Sequence, residues 1–274
     1  MLLLGKLKTS GEVPSMDFST FFYDLYNVPQ GSGIDYYSTP HLIWLGVLLL
    51  IIIGVSLAYR SMNGSSRTQF KKGFAIFIIS MEIFRQVTYL IMGRYRLEYL
   101  PFHLCGFTEF TILIYAFTKN KIAKESLYAL GIVGALMALV FADWLILPLL
   151  NFQSIQSFLV HGCLIAFIVM LVFAGELKPN YKNLPMVFII HLVLCFGLYY
   201  FNKAFDTNFF FMNYPSPGSP LVFFEELFGN PGYVFFTIVL VGIVWLIEYL
   251  PWVIFGRNRK HIKYTYKDVK NPKY

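Results

Sequence analysis

Seven stretches of the chain, 41–59, 70–92, 101–118, 126–149, 157–175, 184–201 and 232–255, are almost wholly apolar. Each runs for roughly 18 to 24 residues, the length a helix needs to cross the hydrocarbon core of a bilayer. No other feature narrows the fold as much. Lipid offers no water to peptide groups, so a chain crosses a membrane as helices or as a closed barrel. Apolar runs this long, without strict alternation, exclude barrel strands. The predicted fold is therefore all-α: a polytopic membrane bundle of seven transmembrane helices over 41–255. A composition 57% hydrophobic and 14% charged agrees, being far more apolar than a soluble domain.

The net charge of +7 suggests nucleic acid only until the basic residues are placed. Sixteen of the 22 lie in loops 60–73, 118–125 and 175–184 and in the tail 256–274. Five lie on the other side of the spans: Lys6, Lys8, Arg94, Arg96 and Lys203. By the positive-inside rule this asymmetry puts the amino terminus outside and the carboxyl terminus in the cytoplasm. The expected organisation is an extracytoplasmic segment over 1–40, the membrane domain with an outer cap at 202–231, and a basic cytoplasmic tail from 256.

In the first segment, "FSTFFYDLYNV" (18–28) spaces its aromatic residues as a helix would. It reads either as an interfacial amphipathic helix or as an aromatic segment packed over the mouth of the bundle. "MLLLGKLK" lacks the apolar core and cleavage site of a signal peptide, and Met16 is a second candidate start. Cys105, Cys163 and Cys195 all fall inside apolar runs, which argues against a disulfide framework.

Ionisable groups inside spans are costly and tend to face the bundle interior, so each is a candidate functional residue. With the topology above, Glu82, Arg85, His103, Cys105, Glu109, Asp143 and His161 converge on one layer in the outer half of the membrane. His191 falls near the middle of its span. Glu82 and Arg85, three residues apart, can neutralise each other on one helix face. Pro101 suits the first turn of a helix, which would put Cys105 in the second turn, where the helix dipole favours a thiolate. Glu109, four residues on, shares that face and His103 does not. A base for Cys105 therefore has to come from another helix, and His161, at the start of span five, is the candidate. Cys105 read by itself is more usually a small hydrophobe, and Asp143 is equally a solvated end residue. No HxxxH or CxxC spacing supports a metal site, and no cofactor motif is present.

The "LPFHLCGF" opening of span three, the histidine of "FLVHGC", and "DTNFFFM" with downstream "NPGYVFF" together resemble the YwaF-like integral membrane proteins. That family takes in a mammalian cysteine-dependent acyltransferase of ether phospholipids. The similarity spans roughly residues 40–255. It implies that Cys105 and His161 are the functional pair of a transacylase with membrane phospholipids as donor and acceptor. It leaves Arg85, Glu82, His103, Glu109, Asp143, His191 and Asn208 as candidate supporting or substrate-binding residues. The expected location is a plasma membrane, bacterial by its lack of targeting signals, with the site facing the outer leaflet. A small-molecule or proton-coupled transporter, a lipid hydrolase and a lipid-binding scaffold fit the same residues. Against transport, the polar groups gather in one leaflet instead of tracing a path across.

Overall fold

The structure is a computed structural model that describes residues 20–270, with side chains from 20 to 254. All regular elements among them are helical: α1 (Thr39–Ser61), α2 (Gly64–Ile91), α3 (Leu104–Thr118), α4 (Lys121–Ser126), α5 (Ile132–Val140), α6 (Phe152–Phe173), α7 (Leu184–Phe205), α8 (Pro220–Phe228) and α9 (Gly232–Lys270). Five π-helical residues, Leu127–Gly131, fuse α4 to α5. Six helical segments are long and apolar enough to cross a membrane: Thr39–Ser61, Gly64–Ile91, Lys121–Ile146, Phe152–Phe173, Tyr181–Phe205 and Gly232–Ile254. The other long apolar helix, α3, has only 15 residues. The chain is a polytopic α-helical membrane protein. Leu50, Ile91, Val193 and Phe196 are among the large apolar side chains it turns outward, as a surface solvated by lipid requires.

Asparagine caps set where several helices begin. Asn63 starts α2 and Asn120 starts α4; Asn151 accepts from Gln153 N–H and Ser154 N–H and starts α6. The last corrects the expected start of span five at 157. His161 stands nine residues into α6, about 13 Å along the helix axis at 1.5 Å per residue, and does not open it. The expected start of span three is corrected in the opposite sense. Pro101 forces Leu100 into an extended conformation, φ −56° and ψ 143°, so residues 97–103 form a 3-10 turn and bends. The helix begins only at Leu104, which puts Cys105 in its first turn.

Helix α6 lies at the centre, packed against α1, α2, α3 and α5. Its face buries Phe158, Leu164, Phe167, Ile168 and Leu171 completely, which makes it the axis of the core; α7 and α9 are peripheral. Two polar clamps tie the end of the bundle remote from Cys105. Buried Glu125 accepts from Asn180 N–H, Asn183 Nδ2 and the Tyr249 hydroxyl. Glu176, just beyond α6, accepts from Lys71 Nζ and the Tyr59 hydroxyl, each at 2.8 Å.

Burial pushes the Glu176 carboxyl up, but the hydrogen bonds from Lys71 and Tyr59 outweigh it and hold the group below the usual carboxylate range. Its contribution to stability is therefore complete above the ordinary glutamate pKa of about 4.3 and is lost as pH falls through the lower folded-state value. In detergent titrations from pH 6 to pH 3, Glu176→Gln is expected to melt lower than wild type at pH 6. The gap should close toward pH 3. A gap that persists unchanged to pH 3 rules the clamp out as a source of acid sensitivity.

The end nearer Cys105 is closed by the chain itself. Residues 20–28 are turns, not the interfacial helix expected for 18–28. Asp24 accepts from Tyr26 N–H and Asn27 N–H, and Asn27 accepts from Asp24 N–H, a side-chain to backbone pattern that competes with helix. The segment lies on the mouth of the bundle: Asn151 Nδ2 donates to the Thr20 and Tyr23 carbonyls, and Arg94 to that of Phe22.

Within 202–231, α8 and a loop folded around buried Asn202 form the cap. Asn202 donates to the Phe209 carbonyl and accepts from Phe209 N–H and Thr207. Phe210 and Phe211 take positive φ, 58° and 53°, a strained setting for bulky residues. The helix α9 continues to Lys270, so the backbone from 256 to 270 extends the last helix. The expectations about Met1, Met16 and a signal peptide fall on residues 1–19, outside the described residues.

Candidate active site

Where α3 begins, the chain makes an unusually close turn. Phe102 N–H donates to the Leu100 carbonyl at 2.7 Å, and the Pro101 carbonyl lies directly against Gly106: a Cβ at 106 would stand 2.3 Å from that oxygen. The glycine of "LPFHLCG" therefore lets Pro101 sit on the first turn of the helix, fixing Cys105. His103 is the N-cap residue but makes no side-chain cap bond; its ring packs against Phe209 and Phe211, with centroids at 5.2 Å. Gly106→Ala is expected to displace the α3 start, lowering the melting temperature and cutting the rate of Cys105 alkylation by iodoacetamide, with a stability cost of about 1–3 kcal/mol. A variant matching wild type in both measurements would refute this packing account.

Cys105 faces α6. Its Sγ lies 3.0 Å from His161 Nε2, and His161 Nδ1 lies 2.7 Å from the carbonyl oxygen of Ser157. A carbonyl only accepts, so Nδ1 carries the ring proton; in the neutral imidazole Nε2 then presents its lone pair to the thiol. With α6 starting earlier, at Phe152, and α3 later, at Leu104, than the apolar runs indicate, these two atoms lie level. Behind the imidazole, Trp144 stacks at 4.9 Å between centroids and 20° between planes. Trp144 is itself wedged edge-on against Phe158, which stacks on Trp44. The ring is held on one side by a carbonyl and on one face by an indole.

The other sequence candidates divide. Arg85 donates from Nε and Nη2 to both oxygens of Glu82, at 2.9 and 2.7 Å, and from Nη2 to the Tyr99 carbonyl. The pair expected from their spacing exists, and it also anchors the segment leading into α3. Glu109, one turn beyond Cys105, is 3% exposed with Oε2 unpartnered. Asp143 precedes Trp144 in the 3-10 turn Asp143–Ile146. His191 lies apart on α7, its Nδ1 3.2 Å from the Val187 carbonyl. Asn208 is engaged with its own loop, donating to the Tyr214 carbonyl and accepting from Asn213 N–H and Tyr214 N–H. Among the described residues no three His, Cys, Asp or Glu side chains gather as a metal site would require. Trp144 and the Ser157 carbonyl were missed by sequence reasoning. The carbonyl lies four residues before His161, a legible signal; the indole stacks across a chain turn and carries none.

Fold and site together define a polytopic helical membrane protein with a thiol and an imidazole in hydrogen-bond contact inside the bundle. Residues 36–249 match the model of the TMEM164 family. The chain belongs to the TMEM164 family. The match agrees with the mammalian side of the resemblance drawn from the motifs and gives no support to the YwaF-like designation. No curated protein and no solved structure matches the chain.

Proposed function

We propose that this protein is a membrane-embedded lipid acyltransferase in which Cys105 and His161 carry an acyl group from a donor phospholipid to a lyso-lipid hydroxyl. The observation that carries the reading is the 3.0 Å approach of Nε2 to Sγ with Nδ1 committed to a backbone carbonyl, the arrangement of an activated nucleophile with an oriented base. Family membership supports it, TMEM164 being the family of the mammalian ether-lipid acyltransferase.

The Sγ–H proton passes to His161 Nε2 as Sγ attacks the ester carbonyl carbon. The tetrahedral intermediate collapses with cleavage of the bond to the glycerol oxygen, which takes the proton from Nε2 and leaves as lysophospholipid. The acyl group remains on Cys105 as a thioester. An acceptor hydroxyl then gives its proton to Nε2, attacks the thioester carbonyl and releases the thiolate, which is reprotonated by His161. The pair works without a third charged residue because the Ser157 carbonyl fixes the tautomer.

The topology that goes with this function has seven crossings, the amino terminus outside and the carboxyl terminus cytoplasmic. The 15 residues of α3 and the 3-10 turn and bends of 97–103 together make the third crossing; irregular backbone at membrane depth is tolerated where protein surrounds it. The site then faces the outer leaflet of the plasma membrane, with phospholipid entering sideways and its head group at the interface. The test is intact-mass spectrometry of the purified protein after incubation with phospholipid vesicles, comparing wild type, Cys105→Ala and His161→Ala. An acyl adduct removable by hydroxylamine, absent from Cys105→Ala and accompanied by lysophospholipid, supports acyl transfer. Wild-type protein that stays unmodified while its thiol remains alkylatable sinks it.

A further inference from the structure

Trp144 is only 4% exposed and its indole Nε1 has no hydrogen-bond partner. Buried donors are almost always paired, and one that is not calls for an explanation. Its position is fixed by two neighbouring rings and by the turn that carries it. The stack on His161 and the edge contact with Phe158 hold the ring, and the 3-10 turn that carries it is locked to the amino-terminal segment. Ile34 N–H donates to the Leu145 carbonyl at 2.8 Å, and a Cβ on Gly33 would fall 2.1 Å from that same oxygen. The ring that carries this desolvated N–H is thus stacked on the imidazole that contacts the nucleophile.

We infer that Trp144 Nε1–H is a catalytic hydrogen-bond donor to the carbonyl oxygen of an acyl ester as Cys105 adds to it. The proposal rests on the acyl-transfer reading and names the group of the substrate that this part of the site takes. When the Sγ–carbon bond forms, the carbonyl π pair moves to oxygen while the thiol proton sits on His161. A negative oxygen then appears in a region of low polarity. An unpaired donor held in place gains its partner at that moment and needs no reorganisation, which is how transition states are favoured over ground states. Stacking alone accounts for the ring of Trp144 but leaves its nitrogen without a role.

The test separates addition to a carbonyl from attack on an sp³ carbon. Para-nitrophenyl octanoate acylates Cys105 through an oxyanion; iodoacetamide alkylates it without one, and both need the proton to leave through His161. Trp144→Phe keeps a stacked ring and removes the N–H. Its acylation is expected to be slower by about 10²–10³-fold, the usual cost of one oxyanion donor, with alkylation at the wild-type rate and the same pH profile. Benzothienylalanine at position 144, of the same ring shape but without the N–H, is expected to behave identically, which keeps the test sound if the smaller phenyl ring disturbs packing. If both replacements acylate as fast as wild type, the donor role is wrong and acyl transfer stands. If acylation and alkylation slow equally in both, Trp144 only positions His161 and the donor role is again wrong. A wild-type protein that is alkylated but never acylated removes acyl transfer, and the donor role with it.

Discussion

Cys105→Ala is expected to leave no hydroxylamine-sensitive adduct and to lower lysophospholipid release by at least about 10⁴-fold, the scale on which deleting an acting nucleophile registers. The side chain sits where the packing demands little of it: Cys105 is only partly buried at the rim of the main core, so loss of one sulfur atom should scarcely affect folding. A catalytic loss with an unchanged melting temperature is therefore interpretable. Cys105→Ser tightens the argument, because it keeps a proton donor facing Nε2, which contacts Sγ in the native protein, but offers a far weaker nucleophile. It should be nearly as inactive as the alanine variant. His161→Ala should retain a slow reaction, since removing a general base costs about 10²–10⁴-fold and leaves the thiol in place. Equal turnover in Cys105→Ala and wild type would show that Cys105 is not the nucleophile.

The largest stability effect is expected at Arg85. Replacing Arg85 with leucine removes both hydrogen bonds to Glu82 and one to the Tyr99 carbonyl, leaving Glu82, itself 5% exposed, as a buried carboxylate supported only by Gln86. Breaking a buried pair from one side costs about 3–5 kcal/mol, because the remaining charge is uncompensated. The double replacement Glu82→Met, Arg85→Leu should recover most of that loss, since two apolar residues can fill the site without burying a charge. Unfolding in mixed micelles measures both. The single variant would also loosen the Tyr99 anchor and so shift the start of α3, and Cys105 alkylation should slow with it. A double variant no more stable than the single one would show that the pair contributes beyond neutralising itself.

The spacing of Glu82 and Arg85 carried their pairing directly, since residues three apart on a helix are neighbours whatever surrounds them. The apolar runs carried the helices for the same reason: a membrane segment must satisfy its own backbone, so its length can be read without knowing its neighbours. Helix starts were less legible. Pro101 looked like a first-turn proline, but its restriction of Leu100 ended one turn and delayed the next helix to Leu104. Asn151 was a readable cap, yet the apolar run alone pointed to 157, and the two errors displaced Cys105 and His161 in opposite directions. Asn208 looked like a residue facing substrate, and its side chain holds its own loop together.

The sequence by itself determined that this chain is a polytopic helical membrane protein, that a cysteine and a histidine stand on different helices, and that a glutamate and an arginine pair on one of them. These follow from local rules: span length, helical spacing and the cost of charge in lipid. The tertiary structure alone decided that Sγ and Nε2 lie 3.0 Å apart, that a carbonyl selects the tautomer, and that Trp144 backs the imidazole with an unpaired N–H. Such contacts depend on how deep each helix begins and how it is rotated. Both are set by packing between residues far apart in the chain, where Gly106 meets Pro101 and Gly33 meets Leu145.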